Sequence, residues 1–374
     1  MKVGASVSLS GDFSATGKTT KEGYQVWAAW QNAHGGILGK KVQMTFLSDG
    51  SSPTQVVTNY QKLITVNHVT FVVGPYSTLL TKPASVVANR YNKALVEGIG
   101  GGPSVFAQGL NNVFDVSAAS VSQMVSFSRW VPTVYKPQKV AFAAITTPFG
   151  DPMVTAVRKY LTKKGFTVTK LDIYPLETTD FSPIASTIEA SGAKIVVLGT
   201  QPPDGYALIQ DFAQAHYTVT VVIEASGPDQ GGSFVKAVGN NAAGVMYPST
   251  WFPGSSGFHS KTMVSIAQKM FHIAKAGTVS ANVAEAFSAG QVLAQAVNHI
   301  KSTTNKKLIA YMHSKGAKFQ SVQGPVCFTK LGMNPCAEPY VFQWQHGKPV
   351  GVLPATKPDV VKVVNPKPKW GSST

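Results

Sequence analysis

Short apolar segments alternate with amphipathic segments along the chain, and this alternation restricts the possible folds more than any other feature. In the first part of the chain, the predicted helices cover residues 19–33, 54–66 and 79–91, and the predicted strands cover residues 3–9, 42–47, 69–73 and 94–96. Strands that alternate with helices over short connections are typical of a parallel sheet covered by helices on both faces. An α/β fold is therefore predicted.

The same alternation begins again after about residue 118. Here the predicted helices cover residues 121–130, 152–164, 182–190 and 205–216, and the predicted strands cover residues 139–144, 167–174, 194–198 and 219–223. With 374 residues, the chain also exceeds the size that one hydrophobic core usually organises. Two doubly wound parallel-sheet lobes are predicted, one after the other.

The last third of the chain changes pattern, with helices predicted at residues 258–275, 281–300 and 306–313 and no strands between them. Helices without a sheet of their own must pack on an existing one, so the chain is predicted to return to each lobe through a multi-strand hinge. The predicted lobes are residues 1–118 with 250–326, and residues 119–249 with 327–353. Residues 354–374 are rich in Pro and Lys and are predicted to form a surface strap or a disordered tail.

Basic residues outnumber acidic residues by 33 to 17, which gives a formal net charge of +16. A protein that binds nucleic acid concentrates Lys and Arg on one strip with interleaved aromatic residues. Here the basic residues are scattered, and only Arg90, Arg129 and Arg158 are arginines. We expect no nucleic-acid partner, and a lysine-coated surface that attracts anionic ligands or lipid head groups. No apolar run approaches the length of a transmembrane helix.

The chain has two cysteines, Cys327 and Cys336, with turn-forming Leu-Gly and Asn-Pro pairs between them. Strand-like runs flank them at residues 322–328 and 340–344, and a hairpin between these runs would bring the two sulfurs together. We predict a disulfide rather than a metal site, because no His or further Cys stands at ligand spacing. The N-terminus favours neither the cytoplasm nor export, but a disulfide indicates an oxidising compartment.

Residues 11–19 follow a strand and lead into a helix, which is the setting of a phosphate-binding loop. That motif has four residues between its glycines, whereas five separate Gly11 from Gly17 ahead of Lys18 and Thr19. A nucleotide-using enzyme that acts through this loop is the main alternative function. The loop is expected to present free amides at a helix N-terminus, which suits a bound anion.

No catalytic set is visible, because the eight histidines are dispersed and the carboxylates are rarely near one another in sequence. We therefore predict no enzymatic activity, no cofactor and no metal. The glycine-rich residues 98–102 form either a tight turn or a segment that approaches a ligand closely, since both need glycine for the same steric reason.

The chain resembles the type I periplasmic solute-binding proteins of ABC transporters, specifically the Leu/Ile/Val-binding group. The resemblance covers nearly the full length and rests on residues 8–11, 32–39, 49–53, 74–78, 149–150, 180–182, 243–247 and 324–328. It implies a monomeric, periplasmic or extracellular protein that binds a small carboxylate ligand in a cleft between two lobes and delivers it to membrane permease subunits. A ligand-sensing ectodomain of the same fold is a further alternative.

In this family the ligand carboxylate is held by loops that correspond here to residues 76–78 and 98–102. The resemblance therefore implies that Ser77 and Thr78 anchor the carboxylate. In the second loop, where the family usually has Ser or Thr, only the backbone amides of Gly100 and Gly101 remain.

The position of the family's amine-binding carboxylate is occupied by Ser226, with Glu224 and Asp229 nearby. If Ser226 replaces the acid, an amino acid's ammonium loses its charge partner, and an aromatic or other organic acid becomes the expected ligand. Alternatively, Glu224 takes over that role. The aromatic residues that could stack on such a ligand, or simply belong to the hydrophobic core or the surface, are Phe13, Tyr76, Phe149, Tyr206 and Trp251.

Overall fold

A computed structural model describes residues 1–169, 171–255 and 257–372. The chain divides into two compact units, which are treated separately below. Unit 1 comprises Met1–Ala119 and Ser255–Glu338, and unit 2 comprises Ser120–Gly254 and Pro339–Thr374. No helix within the described ranges is both long and apolar enough to cross a membrane.

Unit 1 is built on a five-stranded parallel sheet with the strand order β2-β1-β3-β4-β5. Its strands are β1 (Lys2–Val7), β2 (Gln43–Ser48), β3 (Phe71–Val73), β4 (Leu95–Glu97) and β5 (Val113–Asp115). Its first four helices are α1 (Ser14–Ala33), α2 (Pro53–Thr65), α3 (Thr78–Arg90) and α4 (Pro103–Phe106). Strands β3 and β4 are buried throughout, and β1 is buried except at Lys2, as expected for a sheet that is covered on both faces.

Unit 2 is built on a larger, mostly parallel sheet. Its strands are β6 (Lys139–Ile145), β7 (Thr167–Val168), β8 (Asp172–Tyr174), β9 (Ile195–Gly199), β10 (Val221–Glu224), β11 (Met246–Ser249), β14 (Tyr340–Gln345) and β15 (Lys348–Leu353). The order is β15-β14-β11-β10-β9-β6-β7, with β8 also paired to β6, and β14 runs antiparallel to both of its neighbours. Its helices are α5 (Ser120–Gln123), α6 (Val125–Val134), α7 (Gly150–Lys163), α8 (Ser182–Ala190), α9 (Pro202–Gln214) and α10 (Gly232–Val238).

The later part of unit 1 adds helices and a small hairpin to the first sheet. The helices are α11 (Ser260–Phe271), α12 (Ala281–Ile300) and α13 (Asn305–Met312), and the antiparallel hairpin strands are β12 (Lys318–Ser321) and β13 (Gly324–Cys327). Helix α12 is buried along most of its length and packs against α1. Small residues allow the close approach, since a Cβ placed on Gly290 would lie 2.1 Å from the Trp27 ring.

The predicted class of fold is confirmed, and several elements differ in detail. The prediction missed the short strand β5, although β3 and β4, which have the same length, were predicted. Predicted strand 167–174 consists of two short strands, β7 and β8, and its residue 170 lies outside the described part of the chain. Predicted helix 121–130 is divided into α5 and α6.

The disulfide between Cys327 and Cys336 is present, but the predicted hairpin around it is wrong. Strand β13 before it pairs with β12 in unit 1, whereas β14 after it pairs with β11 and β15 in unit 2. The turn is organised instead by Asn334, whose Oδ1 accepts the backbone N–H groups of both cysteines at 3.2 and 3.0 Å. Its Nδ2 donates to the Val116 carbonyl at 2.8 Å. These contacts keep the turn in unit 1, so the last change of unit follows Glu338 rather than residue 326.

The predicted tail, residues 354–374, contains no helix or strand in its described part, which ends at residue 372; residues 373 and 374 lie outside it. The Val364 amide donates to Gln343 at 2.8 Å, the Lys367 amide to the Thr220 carbonyl at 2.8 Å, and Trp370 Nε1 to the Tyr217 carbonyl at 2.7 Å. The segment is therefore a strap that is fixed along unit 2.

We predict that Gly290→Ala destabilises unit 1, because its new methyl group would overlap the buried Trp27 ring. Overpacking costs about 1–3 kcal/mol, and an approach of 2.1 Å to a buried ring belongs at the upper end of that range, above the gain of roughly 1 kcal/mol in helix propensity. Urea unfolding followed by Trp fluorescence measures the change. Gly316→Ala is the matched control, since no atom lies within 4 Å of its new Cβ. Equal stability of the two variants would contradict the predicted overlap.

Candidate functional site

The carboxyl ends of the unit 1 strands carry a loop with an unusual serine. Ser77 lies between β3 and α3, caps the helix at φ 72°, and is 5% exposed. Among the described residues, its Oγ has no hydrogen-bond partner. A non-glycine residue with positive φ is strained, and such strain concentrates at functional sites. The Ser77 hydroxyl at the α3 N-terminus therefore has the features of an anion anchor.

Thr78 is the first residue of α3, and it ties this loop to the glycine-rich loop. Its buried Oγ1 accepts the Gly102 amide at 3.1 Å. The expectation that Gly100 offers its amide to a ligand is wrong, because that amide donates to Glu97 Oε2 at 2.5 Å. Gly101 is required sterically, since a Cβ there would lie 2.4 Å from Asp115 Oδ2.

Phe13 and Tyr76 form an aromatic pair beside Ser77. Their ring centroids are 5.4 Å apart in an edge-to-face arrangement, and both side chains are buried. The Phe13 amide donates to Ser51 Oγ at 3.0 Å, which fixes the start of α1. The structure thus brings together the unit 1 residues that were predicted to contact a ligand.

The loop at residues 11–19 does not have the geometry of a phosphate-binding loop. Helix α1 already begins at Ser14, so Gly17 and the exposed Lys18 lie inside it. The Gly17 amide donates to the Phe13 carbonyl at 2.7 Å, and a Cβ on Gly17 would lie 2.0 Å from the Ser8 carbonyl oxygen. Contrary to expectation, these amides hold the helix together, and Gly17 serves close packing.

Two buried acids of unit 1 escaped the sequence analysis. Glu97 and Asp115 end β4 and β5 and face each other in the parallel register. Burial raises the pKa of Glu97 to about 7, although the Gly100 and Ile99 amides act in the opposite direction. Burial, and then the neighbouring Glu97, raises the pKa of Asp115 well above its usual range. Each acid closes an apolar strand, and this repeated pattern is the signal that could have revealed the pair.

Unit 2 also gathers acids at the carboxyl ends of its strands. Asp204 accepts the Tyr174 hydroxyl at 2.6 Å and the Gln201 amide at 2.9 Å. Burial raises its pKa to about 7. Glu224 is fully buried, and neither of its oxygens has a hydrogen-bond partner among the described residues. Burial, followed by the charges of Asp204 and Asp229, raises the pKa of Glu224 well above its usual range. Acids that are dispersed in the sequence therefore lie together in both units, which the sequence alone did not predict.

Ser226 does not present a free hydroxyl. Its Oγ donates to Asp229 Oδ1 at 3.0 Å, and the Gly227 amide donates to the same oxygen at 2.6 Å. Asp229 Oδ2 accepts from Gln230. Asp229 is therefore saturated with donors, and its pKa, raised by burial, is lowered in part by these hydrogen bonds.

The three aromatic candidates of unit 2 lie in different surroundings. Tyr206 packs against Phe234 with centroids 5.8 Å apart, on the hydrophobic cluster of one sheet face. Phe149 precedes α7 and packs on the cluster of the opposite face. Trp251 is 1% exposed and follows β11. Tyr206 lies near Glu224, because a Cβ placed on Gly227 would lie 2.9 Å from Glu224 Oε2 and 3.6 Å from Tyr206 Cε1.

No group of three or more His, Cys, Asp or Glu side chains that could hold a metal ion occurs among residues 1–169, 171–255 and 257–372. The polar groups at the strand ends are hydroxyls, backbone amides and carboxyls whose pKa values are raised by burial. Such groups bind and orient a small anion, whereas no nucleophile with an adjacent base is evident among them.

Comparison with protein families gives a match over residues 1–349 to the family described as periplasmic binding protein. Among curated proteins, the chain is 24% identical over 353 residues to the Leu/Ile/Val-binding protein homolog 3 of Brucella melitensis, covering 94% of this chain and 93% of the relative. It is also 24% identical to the Leu/Ile/Val-binding protein BraC3 of Rhizobium johnstonii, covering 92% of each chain.

Solved structures share the fold. The R. palustris ABC transporter solute-binding protein in complex with benzoate has a TM-score of 0.81 and 19% identity, covering 94% of this chain and 95% of the other. The branched-chain amino acid transporter substrate binding protein LivJ of Streptococcus pneumoniae, in complex with isoleucine, has a TM-score of 0.82 and 18% identity, covering 98% of this chain and 99% of the other.

We predict that Asp204→Asn removes a pH-dependent loss of stability. The raised pKa means that folded Asp204 resists ionisation, so its contribution to stability is complete below pH ~4 and is lost as pH rises through about 7. Relative to the wild type, the melting temperature of the variant should rise by roughly 2–5 °C between pH 4 and pH 8. The exposed Glu177→Gln is the control and should show no such trend. Parallel curves for Asp204→Asn and the wild type would mean that folded Asp204 ionises normally.

Proposed function

Since this chain belongs to the periplasmic binding protein family, we propose that it is the extracytoplasmic solute-binding component of an ABC importer and captures a small organic carboxylate. The observation that carries the proposal is the buried Ser77 hydroxyl, which lacks a partner among the described residues and lies at the N-terminus of α3. A carboxylate oxygen is the acceptor that such a hydroxyl and helix end favour.

The anchor is rigid before the ligand arrives. Thr78 receives the Gly102 amide, and the Thr81 amide donates to the Ser77 carbonyl at 3.0 Å. The loop therefore keeps its shape without a ligand, which reduces the entropy that binding must overcome. The net charge of +16 adds long-range attraction for anions.

We propose an aromatic carboxylic acid as the ligand class. In unit 2, Asp229 is saturated by its donors, Asp204 accepts two hydrogen bonds, and burial raises the pKa of Glu224 well above its usual range. An ammonium group would have to displace those donors or promote ionisation of Glu224 before it could pair with one of these acids, and a buried unpaired ammonium is costly. R. palustris relatives in complex with benzoate and 4-hydroxybenzoate are consistent with this class.

An α-amino acid is the second candidate. Neither oxygen of Glu224 has a partner within the described ranges, so an arriving ammonium could ionise that side chain and pair with it. The curated relatives are named as Leu/Ile/Val-binding proteins. This candidate requires Glu224, whereas the aromatic acid does not.

The proposed setting is outside the cytoplasm, where the Cys327–Cys336 disulfide persists. There the protein would deliver its ligand to membrane permease subunits, without a catalytic step and without a cofactor. The nucleotide-using alternative depended on a phosphate-binding loop at residues 11–19, but residues 14–19 are helical instead.

A thermal-shift panel tests the function, because a bound ligand stabilises the folded state by mass action. The panel contains benzoate, 4-hydroxybenzoate, leucine, the keto acid of leucine, and ATP. Stabilisation by the benzoates without leucine supports the aromatic class. Stabilisation by leucine that disappears in Glu224→Gln supports the second candidate. If no carboxylate stabilises the protein, or if only ATP does, the proposal is refuted.

We predict that Ser77→Ala weakens carboxylate binding by about 1.5–3 kcal/mol, which corresponds to a roughly tenfold to hundredfold rise in Kd. The reason is the loss of one hydrogen bond to a charged oxygen. Calorimetric titration with benzoate and leucine measures it. Ser288→Ala is the matched control, because this buried hydroxyl on α12 also lacks a partner among the described residues. Unchanged affinity in Ser77→Ala would remove Ser77 from the site.

A further inference from the structure

The glycine-rich loop beside the proposed anchor rests on the buried pair of acids, Glu97 and Asp115. Glu97 Oε2 accepts the amides of Ile99 and Gly100 at 2.8 and 2.5 Å. Asp115 Oδ1 accepts the Ser117 amide at 2.8 Å. The other oxygen of each acid, Oε1 of Glu97 and Oδ2 of Asp115, has no hydrogen-bond partner among the described residues.

The pair is close to the anchor through a short chain of contacts. Gly100, whose amide binds Glu97, packs on Thr81, since a Cβ there would lie 2.2 Å from Thr81 Oγ1. The Thr81 amide in turn donates to the Ser77 carbonyl. A charge on Glu97 therefore interacts electrostatically with a carboxylate held by Ser77. Because the pair is buried, solvent screens this interaction only weakly.

The ionisable groups around the pair are phenols and a further acid. Tyr24 on α1 and Tyr60 on α2 donate their hydroxyls to the carbonyls of Gly74 and Val73, at 2.8 and 2.6 Å, rather than to the acids. Glu285 on α12 acts on Asp115 through its charge. Two carboxyls that face each other in a buried sheet cannot both ionise readily, so they titrate as a coupled pair.

We propose that the Glu97–Asp115 pair takes up a proton when a carboxylate binds at Ser77, so that the protein binds an organic anion together with a proton. The inference rests on the proposed function, and it assigns to Glu97 the role of a positioning residue that also sets the pH dependence of binding.

The expected direction of the pH dependence of binding follows from the charges of Glu97 and the ligand. Ionised Glu97 repels the ligand carboxylate, whereas neutral Glu97 does not, so binding favours the protonated form. The ligand stays ionised above pH ~5, because ordinary carboxylic acids have pKa values near 4. The pKa of Glu97 in the free protein is about 7. Affinity should therefore be constant between pH ~5 and pH ~6 and should fall as pH rises through about 7.

Calorimetric titration with benzoate and with leucine, at pH 6 and pH 8, tests this inference. Buffers with different ionisation enthalpies reveal the protons that are exchanged on binding. For the wild type we expect Kd to rise roughly fivefold to tenfold from pH 6 to pH 8, with uptake of nearly one proton at pH 8. In Glu97→Gln, which keeps an oxygen for the two amides, both effects should disappear. The difference between wild type and variant is the readout for either ligand.

Glu22→Gln is the matched control, since Glu22 is another acid of unit 1 whose pKa is raised by burial. It should retain the wild-type proton uptake. If binding by the wild type is independent of pH and of buffer, the inference is overturned while the proposed function remains intact. This outcome can be observed without any variant. Proton uptake that persists in Glu97→Gln would also overturn it. If neither ligand binds at any pH, the proposed function fails, and this inference fails with it.

Discussion

Parallel hydrogen bonding between neighbouring strands is the constraint on which the candidate site depends. It forces β3, β4 and β5 to end at the same edge of the unit 1 sheet. Ser77, the glycine-rich loop and the Glu97–Asp115 pair follow or close these strands, so the register alone brings them together. The general rule that ligands bind outside the carboxyl ends of strands in open α/β sheets is here a consequence of strand direction.

The sequence was sufficient for features that are encoded locally, such as the strand–helix alternation and the pairing of two cysteines. It was insufficient where partners are distant in sequence. The acids at the ends of two short apolar runs mark Glu97 and Asp115 as candidates, but nothing near residue 97 shows that the strand beside β4 is β5. Likewise, the direction of the Gly100 amide depends on where the Glu97 side chain lies. The family resemblance identified the loops at residues 76–78 and 98–102 as candidates for ligand binding. The hydrogen bonds within these loops became known only from the structure.

Basic residues and several acidic residues differ in burial: the lysines lie mainly at the surface, whereas these acids are buried. The lysines give the exterior a strong positive field, while five buried acids, Glu97, Asp115, Asp204, Glu224 and Asp229, have raised pKa values at the strand ends. Desolvation costs most for an ionised group, so these side chains hold their protons more tightly than exposed acids do. For the proposed anionic ligand, the positive exterior supplies long-range attraction, and acids with raised pKa values repel an anion less than fully ionised acids would.

The turn at Asn334 is held in two independent ways. Its side-chain oxygen accepts the amides of both cysteines, and its nitrogen donates to the Val116 carbonyl. None of these hydrogen bonds involves sulfur, so they constrain the same turn as the disulfide between Cys327 and Cys336 without depending on its oxidation state.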